Sequence, residues 1–335
     1  MTTTIYWAGG EDSSFVALQG LTVTTSSGYF RAAYARSAVG IYNSGTTIPL
    51  TNYAQTPKFG PTSNFWVHGM TYTNAVTNGA ATILLAIADN SGVTRLLVTE
   101  TGTIGQLQIC TCNAAGTITS LVTSLPDTLL ADQLCSIDLF VNYGTSGQVT
   151  LYYNGISVAD TGASVNVTTD GATALAEVYY GGLYATSMYW SECIIANGST
   201  LGMAVQTLPP LAAGNTQSWT GTVADIDETT INDANFINTT AIGALSEWTV
   251  GTSLPPGNWA ILAVVQEARV SVGATGPQHF EWVVRTSDGS DHVQGTVAPN
   301  TSLNYCGPAI WTTNPHTAAA WNAGDLVNAG IESLA

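Results

Sequence analysis

The stretch WSECIIANGST, residues 190 to 200, sets Glu192 beside Cys193 and two residues from Trp190. A carboxylate there could act as a general acid or as a glycosidase nucleophile. That chemistry needs a second carboxylate roughly 5 to 9.5 Å away. The nearest preceding acid is Glu177, across an irregular loop, and no spacing brings it alongside. Glu192 is therefore expected to end a strand and to accept hydrogen bonds from neighbouring amides, and no residue is assigned as catalytic.

The segment DIDETTINDANF gathers Asp225, Asp227, Glu228 and Asp233, oxygen ligands of the kind calcium takes. As an EF-hand loop it fails, because Thr230 stands where glycine is required and Phe236 where the bidentate acid belongs. A calcium site of another kind is the candidate metal site, set against a solvated acidic loop, and no other cofactor is expected. Cys110 and Cys112 fall on one strand face, and residues two apart on a strand lie too far apart for an easy mutual disulfide. With no second Cys or His pair at zinc spacing, the expectation is buried thiols, under a second layer or at a subunit contact. The four histidines, His68, His279, His292 and His316, lack a local nucleophile arrangement. Nine tryptophans and 14 tyrosines could supply platforms for sugar rings. Trp66, Trp311 and Trp321 lie in turn-rich surroundings and are the candidates for glycan binding. Trp190, Trp259 and Trp282 lie in apolar strands and are expected in the core.

Strands must position these groups. In CSIDLFVNYG one face takes Cys135, Ile137, Leu139, Val141 and Tyr143, and the other Ser136, Asp138, Phe140 and Asn142, the period of a half-buried strand. Asn154-Gly155 predicts a two-residue type I′ hairpin that sets Tyr153 opposite Ile156, Tyr152 opposite Ser157 and Leu151 opposite Val158. Asp288-Gly289 predicts another, with Val284 opposite Val293 and Arg285 opposite His292. Helical periodicity is limited to short turns near Pro126 to Gln133 and Ala318 to Val327. The class is all-β.

Charged residues make up only 8% of the 335, and 22 acids against 6 bases leave a net charge of −16. Phosphate backbones and anionic lipid surfaces would repel such a chain, so nucleic-acid binding is excluded. Sparse charge suits faces that pack against other subunits. No apolar run is long enough to span a bilayer, and the N-terminus MTTTIYWAGGEDSS has no basic residue before an apolar stretch, so neither membrane insertion nor a signal peptide is expected. The Pro-Pro pair in TLPPLAAGNTQSW marks a boundary: a first domain at 1–206, a connector at 207–218 and a smaller β domain at 219–335.

The run VTLYYNGISVADTG, followed by MYWSECIIANGSTLGM, resembles the closing strands of concanavalin A-like, laminin-G-type jelly rolls. The continuation WTGTVADIDETTINDANFI and the ending NPHTAAAWNAGDLVNAGIESLA resemble virion structural proteins of tailed bacteriophages. The resemblance implies a jelly-roll β-sandwich followed by a smaller β-rich domain. It further implies a non-enzymatic virion component, a decoration or fibre protein that packs against copies of itself and other virion proteins. The alternative is a lectin-like tail module that recognises host surface polysaccharide. Glycoside hydrolases of this fold carry alternating acids along one strand, and no such stretch occurs here.

Overall fold

The computed structural model describes residues 3–76, 82–251 and 254–335. Strands dominate. The only helical turns among the described residues are the 3-10 turns Asp12–Ser14 and Val223–Asp225. The turns expected near Pro126 to Gln133 and Ala318 to Val327 do not wind into helix. Asp127, Asp132 and Ala318 hold φ values of 54°, 58° and 55°, the left-handed region that a right-handed helix cannot pass through.

The chain divides into two compact units, Met1–Val205 and Gln206–Ala335. The segment 207–218 is not a connector. It carries the strand Pro210–Gln217, which pairs with Leu245–Val250 at the edge of a sheet in the second unit. Small residues such as Ala212, Ala213 and Gly214 erase the apolar alternation, and proline is tolerated on an edge.

The first unit is a jelly-roll sandwich of two antiparallel sheets. One sheet has eight strands, with Asn64–Thr73 flanked by Cys135–Asn142 and Ser187–Ala196. The other has seven, built around Ile83–Ala88, Thr94–Glu100 and Leu107–Cys112. The alternation predicted for 135–143 holds: Cys135, Ile137, Leu139, Val141 and Tyr143 all enter the core between the sheets. Trp190 lies fully buried there, its indole N–H donating to the Gly181 carbonyl at 2.7 Å. Gly69 makes room for it, since a Cβ at that position would come within 2.7 Å of the indole.

The Asn154-Gly155 turn forms as predicted, with both residues at positive φ and Tyr153 opposite Ile156. A bulge then slips the register, so that Leu151 faces Ala159 rather than Val158. The second hairpin differs by one residue. Only Gly289 takes positive φ, and the Thr286 amide donates to the Ser290 carbonyl at 3.1 Å, which makes a three-residue turn. Val284 therefore faces His292, and Arg285 faces Asp291.

The second unit has a five-stranded sheet and a two-stranded sheet over one core. Gln266 joins the layers, accepting from the Trp311 indole at 2.8 Å and donating to the Val283 carbonyl at 2.9 Å. An amide bonded through both its oxygen and its nitrogen is tolerated in a core. No helix among the described residues is long and apolar enough to cross a membrane.

Candidate functional site

Side chains of the eight-stranded sheet that point away from the core form aligned rows. Directly opposed residues in antiparallel strands share a face, so register fixes which groups meet. Trp66 stands opposite Phe140, Phe140 opposite Thr150, and Thr150 opposite Asp160. The next row runs His68, Asp138, Tyr152 and Ser157. Asn64, Asn142 and Gln148 form the row on the other side.

The three rings of this face pack together. Trp66 stacks on Tyr152 with centroids 5.5 Å apart and planes 27° apart, and meets Phe140 at 5.2 Å. All three are half-buried rather than covered. Beside them a polar group is already ordered. Gln148 donates to both oxygens of Asp160 at 3.0 and 3.1 Å, and Thr150 donates to the same carboxylate at 3.2 Å. Desolvation raises the Asp160 carboxyl, but the bonds from Gln148, the Gly162 amide and Thr150 outweigh it and hold the group below its ordinary value. The result is an apolar platform bordered by a fixed acceptor and amides, the pairing of surfaces that pyranose rings require.

Farther along the face the sheet is covered. His68 Nδ1 lies 2.7 Å from Asp138 Oδ1, which also accepts from Thr200 at 2.7 Å, and all three residues are buried. A second aromatic group follows, with Tyr29 at 4.9 Å from Tyr72 and 4.5 Å from Tyr189.

Glu192 lies on a bulge in Ser187–Ala196. That strand pairs with Ala38–Tyr42 through its first residues and with Ile5–Gly9 through its last, and the bulge falls where the neighbour changes. Glu192 takes φ 50°, and Gly10 approaches so closely that a Cβ there would lie 2.5 Å from the Glu192 nitrogen. The side chain is buried, and Arg31 grips it through two guanidinium nitrogens, with Nε at 2.8 Å from Oε1. Burial pushes the carboxyl above its ordinary value, and Arg31 recovers only part of that shift. Its expected role as an acceptor of neighbouring amides is mostly replaced by this ion pair. Glu177 belongs to the other sheet, where Gln55 and Tyr179 donate to its two oxygens.

The remaining candidates are placed as follows. Trp66 is on the outer face, in the body of a strand rather than a turn. Trp311 and Trp321 are not exposed platforms: they are 6% and 4% accessible and belong to the second unit's core. Trp311 ends a strand in which Ala309 and Trp311 face inward on either side of Ile310, and the Trp321 indole donates to the Trp311 carbonyl at 2.8 Å. Trp259, expected in a core strand, lies half-buried in an irregular segment instead, and with Leu254, Ile261, Trp321 and Asn322 it lines a cavity of about 410 Å³. The calcium candidates do not converge, since among the described residues no three of Asp225, Asp227, Glu228 and Asp233 bring oxygens within 4.8 Å of one another. Asp225 closes a capping box with Thr222, and Asp233 takes a two-pronged bond from Arg269 at 2.9 and 2.8 Å. All five cysteines are free and buried. Leu107 and Ile109 face the sandwich core, while Cys110 and Cys112 face a small outer cluster with Leu50, Ile83 and Leu97, which matches the first of the two placements expected for them, under a second layer or at a subunit contact.

No family model matches this chain, and neither does any curated protein. Solved structures with similar layout include an alginate lyase bound to an alginate trisaccharide, 11% identical over 57% of this chain and 98% of that one, with a TM-score of 0.38. A botulinum neurotoxin type G receptor-binding domain is 10% identical over 99% of this chain and 97% of that one, with a TM-score of 0.34. A carbohydrate esterase from the Shiga toxin-encoding bacteriophage phi24B is 10% identical over 59% of this chain and all of that one, with a TM-score of 0.38.

Proposed function

We propose that the protein is a non-catalytic, lectin-like module that binds polysaccharide on the outer face of its eight-stranded sheet. The observation that carries this is the row Trp66, Phe140, Thr150 and Asp160, with Tyr152 stacked against Trp66. Aromatic faces match the C–H faces of sugar rings, while Gln148, Asn142 and Asp160 match hydroxyls. The non-catalytic part is supported by Glu192, whose carboxylate is committed to Arg31. The bacteriophage setting is supported by the sequence resemblance, and within it the partner is a host surface glycan.

A purely architectural virion component is the second proposal, favoured by sparse charge and by apolar side chains left in solvent, Leu125 at 79% and Ile156 at 70%. A glycan array run alongside light scattering separates the two. The lectin predicts binding to a defined set of glycans that Trp66→Ala and Tyr152→Ala remove. Self-association into large particles with no glycan retained on the array would favour architecture and sink the lectin.

A further inference from the structure

The second unit holds a cluster that the glycan-binding proposal does not use. The turn of the 279–297 hairpin carries Asp288, the returning strand carries His292, and the loop after the strand Asn304–Trp311 carries His316. One ligand atom from each lies within 4.8 Å of the others. His316 Nδ1 is 2.9 Å from Asp288 Oδ2, and the two imidazole centroids are 6.3 Å apart. From these residues we propose a binding site for a divalent first-row transition metal, zinc being the probe of choice, with His292, His316 and Asp288 as its three protein ligands.

The chemistry of the donor set selects the metal. Two imidazoles and one carboxylate suit zinc and its neighbours, whereas calcium and magnesium take oxygen ligands. Zinc holds its nitrogen and oxygen ligands at about 2.0 to 2.2 Å, which sets tetrahedral donors roughly 3.3 to 3.6 Å apart, so His316 Nδ1 and Asp288 Oδ2, 2.9 Å apart in the free protein, part slightly to admit the ion. The side chains can make that adjustment because Asp288 and His316 are exposed and His292 is only half-buried.

The supporting contacts resemble those that orient metal ligands elsewhere, where a second shell of hydrogen bonds fixes each donor. The Thr286 hydroxyl donates to one Asp288 oxygen and also lies 3.1 Å from His292 Nε2, so one buried threonine holds two of the three ligands. Ser290 donates to Asp288 Oδ2 at 2.7 Å. The third ligand sits on a loop that is itself pinned, because the buried Asn314 side chain accepts from the His316 amide at 2.9 Å and the Ala318 amide donates to the Asn314 carbonyl at 2.8 Å. The three-residue turn is what makes this possible. A two-residue turn at Asp288-Gly289 would pair Arg285 with His292, whereas the observed register pairs Arg285 with Asp291. Three protein ligands leave zinc at least one position for water or an external ligand, and the ion would tie the hairpin tip to the 312–320 loop.

The test uses the full chain without an affinity tag and zinc chloride as the probe. Calorimetric titration is expected to show one zinc per chain, with affinity reduced at least tenfold by His316→Ala and abolished by His292→Ala plus His316→Ala. His279→Ala, at a histidine bonded to the Ala335 carbonyl, is expected to leave binding unchanged. Cobalt substitution should give visible absorption bands that disappear in the double variant. In case a variant folds poorly, imidazole resonances of the unaltered protein supply a second reading, and zinc should move those of His292 and His316 but not those of His68 and His279. Absence of saturable binding, or binding that survives loss of both histidines, would overturn the site and leave Asp288 and His316 as an ion pair only.

Discussion

Replacing Arg31 with alanine separates a structural Glu192 from a chemical one. The carboxylate is inaccessible, while the arginine side chain is 31% exposed. Removing one partner of a buried pair generally costs about 3 to 5 kcal/mol, because the other charge is left uncompensated. The partial exposure of Arg31 places the expectation near the lower end, about 3 kcal/mol at pH 8. A unit of this size loses roughly 2 to 4 °C per kcal/mol, so thermal unfolding followed by circular dichroism should show a drop of about 6 to 12 °C. The loss should depend on pH. Without Arg31 the folded-state value of Glu192, already raised by burial, rises further above the unfolded one. Between those two values the folded state holds more protons, so stability increases as pH falls, and the defect should shrink from pH 8 toward pH 5. Glu192→Gln added to Arg31→Ala should recover much of the loss, because no buried charge then remains. A loss at pH 8 below 1 kcal/mol, or one that does not change with pH, would refute the reasoning.

Other outcomes follow from the same structure. Glu100 is buried, and burial pushes its carboxyl from 4.5 to about 7. Its folded-state value is the higher one, so stability declines as pH rises from about 4.5 to 7, by about 3 kcal/mol at the usual 1.4 kcal/mol per pKa unit. Glu100→Gln should thus stabilise the protein at pH 8 and change little at pH 4.5, measured by urea unfolding. Gly69→Ala forces a Cβ against the Trp190 ring and should destabilise by about 1 to 3 kcal/mol, the usual range for overpacking. The five thiols should resist Ellman's reagent in the native protein and react fully in guanidinium, since burial raises Cys110 to about 11 and raises the others too. Arg269→Ala breaks a half-exposed pair with Asp233 together with a bond to the Leu303 carbonyl and should cost about 1 to 2 kcal/mol.

Period-two alternation made the faces of 135–143 legible, and Asn-Gly made the first hairpin legible, because both signals are local. Bulges leave no mark in composition, so neither the slip at Leu151 nor the turn of backbone at Glu192 could be read from residue types. Arg31 lies 161 positions from its partner, and nothing local announces such a pair. The same limit hid the aromatic face. Phe140 and Tyr152 were legible as residues pointing away from the core, and Trp66 as a candidate, but only the long-range pairing of Asn64–Thr73 with Cys135–Asn142 sets them side by side. Trp311 and Trp321 misled because turn-rich neighbours suggest exposure, whereas tryptophan is highly buried on average and both rings lie in the second unit's core. The metal candidates were missed for a related reason: the one-residue error at Asp288-Gly289 placed His292 opposite Arg285.

The most direct measurement is calorimetric titration of oligosaccharides prepared from host surface polysaccharide into the protein and into Trp66→Ala. Saturable binding by the unaltered chain that falls at least tenfold in Trp66→Ala, with the thermal unfolding of the variant otherwise preserved, is the predicted result. Undiminished binding by Trp66→Ala, or no binding by the unaltered protein, would contradict a glycan site on this face.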